Sequence, residues 1–197
     1  MAGLNPKFGV VAGRGAVLIG AKGATAPTLT ALTTFAGDPT KFPAGFAPFG
    51  VTHPDELPEF ERDGGDEKQL FVWEYAAPVA SFREDEPVNS FTVNGLEFAN
   101  DTMKLYEGGG DATGAGIFWA PTNPIPTEAS ALVVLLSKVG QVRAYYAPFV
   151  SIIGGDTISH ERDDWSKIPL KFTELFLPGQ KGPHAWIGEG FGATSGA

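Results

Sequence analysis

Ala131-Leu132-Val133-Val134-Leu135-Leu136-Ser137-Lys138-Val139-Gly140-Gln141-Val142-Arg143-Ala144-Tyr145-Tyr146-Ala147 reads as two strands joined by a tight turn. Leu132–Leu136 is apolar on both faces, which places the first strand, Leu132–Lys138, in the middle of a sheet. Val139-Gly140 supplies the hairpin connection and Gln141–Ala147 returns beside it. Outward from this pair, β-branched and aromatic runs recur between the chain's 26 glycines and 16 prolines. They are Ala16–Ile19, Leu70–Tyr75, Asn89–Asn94, Gly116–Trp119, Phe149–Ile153 and Ile168–Leu175. Phe91 and Val93 alternate with polar neighbours, as do Ile168, Leu170 and Phe172, so both strands are half buried. Short strands with frequent turn residues indicate a mainly β fold, a sandwich or barrel. Pro169 cannot donate to a ladder, which makes the last strand an edge strand or marks its boundary.

One short flanking α-helix is expected. Asn100 or Asp101 would cap it, Met103 and Tyr106 share a face, and Gly108-Gly109-Gly110 stops it. A second helical pattern covers Pro27–Ala36, although five threonines between 25 and 34 lower its propensity. The organisation is then a single β-domain over 1–176 with a long inter-strand loop at about 37–67. A Gly/Pro-rich C-terminal arm follows at 177–197, and the N-terminus forms another arm. Long loops within compact domains are usually functional or disordered. This one concentrates charge: residues 55–67 hold seven of the 23 acids against one base, Arg62. Leu57 and Phe60 give it apolar anchors, so it reads as a contact loop. Phe42, Phe46 and Phe49 among prolines and glycines, and Trp186, Ile187 and Phe191 in the arm, either dock on a neighbour or cover the chain's own core.

The 197 residues suffice for one domain with a real core. A net charge of −9 argues against gripping the outside of duplex DNA. With no cysteine, disulfides and thiolate sites are excluded. The apolar run Ala131–Leu136 is far shorter than the roughly 20 residues of a membrane-spanning helix, and the Val10–Ala21 patch makes a poor signal peptide. No membrane span is expected, and synthesis in the cytoplasm is.

Chemistry-bearing patterns are weak. Gly13-Arg14-Gly15 and Gly20-Ala21-Lys22-Gly23 lack the spacing of phosphate loops. His53, His160 and His184 stand far apart, and Asp63-Gly64-Gly65-Asp66 lacks the alternating ligands of a calcium loop. No serine lies in Gly-x-Ser-x-Gly. Glu97 with Asp101, or Asp163 with Asp164, are carboxylate pairs of the kind an acid-rich surface produces by chance. No catalytic, cofactor or metal residue is assigned, and the chain is not read as an enzyme.

An ordered set of segments carries a resemblance. Phe49-Gly50-Val51-Thr52-His53 opens the acidic loop, and Gly64-Gly65-Asp66, Phe71-Val72-Trp73 and Phe91-Thr92-Val93 lead into Asn100–Tyr106. Arg143-Ala144-Tyr145-Tyr146-Ala147-Pro148 and Gly154-Gly155-Asp156-Thr157-Ile158-Ser159 then precede Asp164-Trp165-Ser166-Lys167-Ile168-Pro169-Leu170-Lys171-Phe172. From about residue 8 to 176 the chain resembles the major tail (tail tube) proteins of long, non-contractile-tailed bacteriophages, most of all those infecting actinobacteria. The resemblance implies a virion structural protein whose six-membered rings stack into a tube. Its partners would be copies of itself, the tape-measure protein, and the tail-tip and tail-terminator proteins. DNA would pass through the lumen toward the host without specific binding. It also puts a stacking loop at Phe49–Glu67. The resulting contact candidates are Phe46, Phe49, His53, Asp55, Glu56, Leu57, Phe60, Glu61, Arg62, Asp63, Trp186 and Phe191. The competing reading is a monomeric β-sandwich binding module, with Trp73, Trp119, Trp165 or Trp186 stacking on carbohydrate.

Overall fold

A computed structural model describes residues 12–191 except 74, 76, 84, 139 and 190. The N-terminal arm before residue 12 and the end of the C-terminal arm from 192 lie outside the described residues. The fold is mainly β. One antiparallel sheet of eight strands runs in the order β2 (Phe46–Pro48), β1 (Ala12–Gly20), β9 (Thr127–Ser137), β10 (Val142–Gly154), β11 (Ile168–Glu174), β6 (Val88–Gly95), β3 (Glu59–Asp63). The eighth strand, β12 (Ala185–Gly188), pairs with β10. The hairpin read from the sequence sits at the centre, with β9 between β1 and β10. Its turn is closed by Gly140 N–H to Ser137 O and Ser137 N–H to Gln141 O, while Val139 lies outside the described residues.

The sheet curls on itself. Val17 from β1 shares a core cluster with Phe91 and Val93 from β6, together with Val133, Tyr145, Val150, Leu170 and Phe172. Phe91 and Phe172 stack at 4.6 Å between ring centres, and Phe49 meets Phe172 edge-on. One stretch of chain closes the curl. Phe49 N–H bonds Val17 O, Leu96 N–H bonds Val51 O, and His53 N–H bonds Asn94 O, with Thr52 bridging to Gly95. Residues 46–53 thus cross from β1 to β6, and β3 continues along the edge of β6.

The other face of β9 and β10 is covered by α1 (Leu29–Gly37), whose Leu32 and Phe35 pack with Leu18, Leu132, Val134 and Tyr146. The Thr28 hydroxyl caps α1 by accepting from Ala31 N–H. α2 (Asn100–Glu107) packs on β10, and Gly154 makes that approach possible. A Cβ there would stand 2.8 Å from the Tyr106 ring. Two helices therefore flank the sheet where one is expected, because burial of Leu32 and Phe35 overrides the threonine propensities. Ala99, with no side-chain cap bond, precedes α2 instead of Asn100 or Asp101; Gly108 ends the helix in the left-handed region at φ 67.

Several expectations change. Pro169 is not on an edge strand: β11 lies between β10 and β6. Its missing N–H falls just past the last β10–β11 pair, Gly154 with Leu170, so it marks a boundary. Gln141–Ala147 and Phe149–Ile153 form one strand, β10, with a register shift between Ala147 and Val150 around Pro148. Leu70–Tyr75 is not a strand along its length. Only Glu67–Leu70 is paired, as β4, with β5 (Ala80–Arg83); Phe71–Trp73 belong to the hairpin tip, and Glu74 lies outside the described residues. The supposed loop at 37–67 contains β2 and β3. β7 (Asp111–Thr113) and β8 (Ile117–Trp119) form a separate small hairpin. No helix among the described residues is long and apolar enough to cross a membrane.

Candidate functional site

The acidic segment divides into three pieces. Residues 54–58 form a strap, β3 follows in the sheet, and the connection 64–87 projects as the β4–β5 hairpin.

The strap is held by Lys167. Its Nζ lies 2.5 Å from Glu56 Oε1, 3.3 Å from Asp164 Oδ2 and 3.4 Å from Glu161 Oε1, with the lysine side chain largely buried. Asn94 Nδ2 donates to the second Glu56 oxygen at 2.6 Å. His53 is buried beside this cluster. Its Nδ1 accepts from Asp55 N–H, which leaves Nε2 as the donor toward Asp164 Oδ1 at 3.4 Å. The hydrogen bond from Lys167 lowers the Glu56 pKa below the usual carboxylate range. Asp164 is lowered by Trp165 N–H first and by His53 next. Lys167 is pushed well above its ordinary value, chiefly by Glu56. One cation is therefore shared among three acids and ties the strap to the chain near β11. Among the described residues, no group of three or more His, Asp or Glu side chains is placed to hold a metal ion.

The remaining contact candidates scatter. Phe46 and Phe49 are buried in the chain's own core, Phe46 edge-on to Tyr146, so neither offers surface to another molecule. Leu57 is half exposed. Phe60, on β3, packs against Phe91, Tyr145 and Trp186, with ring centres 4.5–5.4 Å apart, and keeps an exposed edge. Glu61 stands 3.8 Å from Lys171, while Asp55, Arg62 and Asp63 are exposed. Trp186 on β12 and Phe191, whose ring lies 5.7 Å from the Arg143 guanidinium carbon, cover the chain's own barrel while remaining partly open to solvent. His184 Nδ1 and Glu174 Oε2, 3.0 Å apart, pin this part of the C-terminal stretch to β11.

Two features were missed from the sequence. The first is the β4–β5 hairpin. Leu70, Phe71, Val72, Tyr75, Val79 and Phe82 are exposed, and Trp73 is 99% exposed. Such a concentration of exposed apolar groups marks an interaction site. Its signal was a second short β pattern, Ala80–Arg83, just past Pro78. The second is a slot in the barrel wall. β2 covers β1 only from Leu18 to Gly20, so Gly13–Ala16 present an edge with no strand partner among the described residues. Between that edge and the strap lies a cavity of about 210 Å³ lined by Val17, Val133, Leu135, Pro54, Leu57 and Pro58, while the Arg14 guanidinium is engaged at α1, donating to Ala36 O at 2.9 Å. Gly15 lies on the same face of β1 as Val17, and a Cβ there would sit 2.6 Å from Val134 O, so no side chain fills the slot from β1.

A family model described as phage tail tube protein matches residues 2–197. The chain is 27% identical over 186 residues to the major tail protein Gp23 of Mycobacterium phage D29, covering 92% of each chain. It is 26% identical over 178 residues to the major tail protein Gp23 of Mycobacterium phage L5, covering 89% of this chain and 88% of that one.

Proposed function

The chain belongs to the phage tail tube protein family, a structural component of the virion tail, and from that premise we propose that it self-assembles into hexameric rings stacked as the tail tube. The observation that carries this reading is the combination of a strand edge, Gly13–Ala16, left without a strand partner among the described residues, with an exposed apolar hairpin on the same subunit. Unpaired edges and exposed aromatic clusters are liabilities in a lone domain and assets in one that associates with its own kind. Ring closure would satisfy edges by pairing across subunits, and projecting hairpins would join ring to ring. The tape-measure, tail-tip and tail-terminator proteins are the further partners this reading assigns.

A net charge of −9 per copy suits a conduit. A negative wall gives phosphates no cations to exchange for their counterions, so DNA passes toward the host without adhering. Negative-stain microscopy of the purified chain, alone and with its tail-tip complex, is expected to show sixfold rings or tubes. A particle that stays monomeric under every assembly condition would overturn the proposal.

A further inference from the structure

We propose that the tip of the β4–β5 hairpin of one copy, led by Trp73, seats in the cavity between β1 and the 54–58 strap of a second copy. The inference rests on the tube reading and names the receiving site for the hairpin. Two unmatched features of one chain carry it. Trp73 is 99% exposed amid other exposed apolar side chains, and the cavity of about 210 Å³ has apolar walls and a volume suited to one large aromatic side chain.

The backbone agrees with this seat: among the described residues no strand covers the outer edge of Gly13–Ala16, which borders the cavity and presents N–H and C=O groups to an extended segment.

Placement makes the contact head-to-tail. β3 carries the chain from the cavity wall at Pro58 to the hairpin base at Asp63, so donor and receiver lie at opposite ends of one strand. A patch that complements a pocket elsewhere on the same molecule makes a heterologous contact, which propagates as a ring or an open stack. The strap is one wall of this seat, with Glu56 and Lys167 setting its position.

Because the chain has no cysteine, engineered thiols report contacts without background. Trp73→Cys and Leu57→Cys subunits, mixed, assembled and oxidised, are expected to give a crosslinked dimer that neither variant gives alone. Trp73→Cys mixed with Thr33→Cys on α1 is the control expected to stay uncrosslinked. Trp73→Ala should melt as the parent does and need about tenfold or more subunit to assemble, as loss of one buried aromatic predicts. Tubes that lack the Trp73–Leu57 crosslink, or that crosslink Thr33→Cys equally well, overturn the seat and leave the tube standing. If neither rings nor tubes form under any condition, both readings fall.

Discussion

Replacing residues 64–87 by Asn-Gly separates the fold from its assembly surface. Asp63 and Val88 are directly paired across β3 and β6, so a two-residue type I′ turn joins them without moving either strand. Every described residue removed is exposed except the half-buried Gly65 and Pro87, and the β4–β5 ladder acts only within the excised piece. The core therefore loses almost no burial. A connection roughly twelvefold shorter lowers the loop-closure cost by about 2 kcal/mol at most. At about 2–4 °C per kcal/mol for a chain of this size, the Tm should hold or rise by up to about 8 °C. Scanning calorimetry and near-ultraviolet circular dichroism measure the first part, and electron microscopy of assembly reactions the second. The expected result is a folded subunit that makes no tubes. Loss of cooperative melting would show that the hairpin supports the core, and tubes of normal length would show that it has no part in stacking.

The strap clamp predicts a pH signature. With Glu56 and Asp164 held below the usual carboxylate range, their contribution is complete above that range and is lost as pH falls through the lowered values. Lys167→Met should lower the Tm at neutral pH and flatten this acid limb; a Tm deficit that is the same at every pH would refute the clamp. Leu32→Ala empties a fully buried position between α1 and the sheet and should cost about 2–5 kcal/mol in denaturant titration. Gly108→Ala forces a left-handed conformation and sets a Cβ 3.0 Å from the Ile125 backbone. A loss of about 1–2 kcal/mol or more is expected in the same titration.

The sheet was legible where a strand's own pattern decides its environment. Leu132–Leu136 is apolar on both faces because β1 and β10 flank it and α1 covers one side. Phe91, Val93, Leu170 and Phe172 alternate because their strands line one core. Patterns failed where a distant partner decides. Glu59-Phe60-Glu61-Arg62-Asp63 offers one apolar residue in five, and only the ladder to β6 and the rings around Phe60 make it a strand. Phe71-Val72-Trp73 has the composition of a core strand, yet no layer among the described residues lies over it. The clamp joins residues 111 positions apart, Glu56 and Lys167, a separation that no local spacing encodes. Of the contact candidates, Phe46 and Phe49 went inward because closing the curled sheet uses their stretch of chain. The β4–β5 hairpin, with its exposed Phe71, Trp73 and Tyr75, was absent from that set.

A subunit whose described residues leave a strand edge open and a tryptophan fully exposed invites indiscriminate aggregation, and its charge works against that outcome. Of the acids at 55–67, Glu56 is tied to Lys167 and Glu61 lies near Lys171, while Asp55, Glu59, Asp63, Asp66 and Glu67 stand exposed. Asp85 and Glu86 add to them on the return strand side of the hairpin. Charges flanking an apolar segment keep chains apart unless the approach is in register. In register, the proposed seat would take Trp73 into an apolar cavity, where apolar burial can exceed the repulsion. Out of register the same approach brings acid against acid. The acidic segment then has two physical tasks: one acid fixes the strap, and the exposed ones make misaligned association costly.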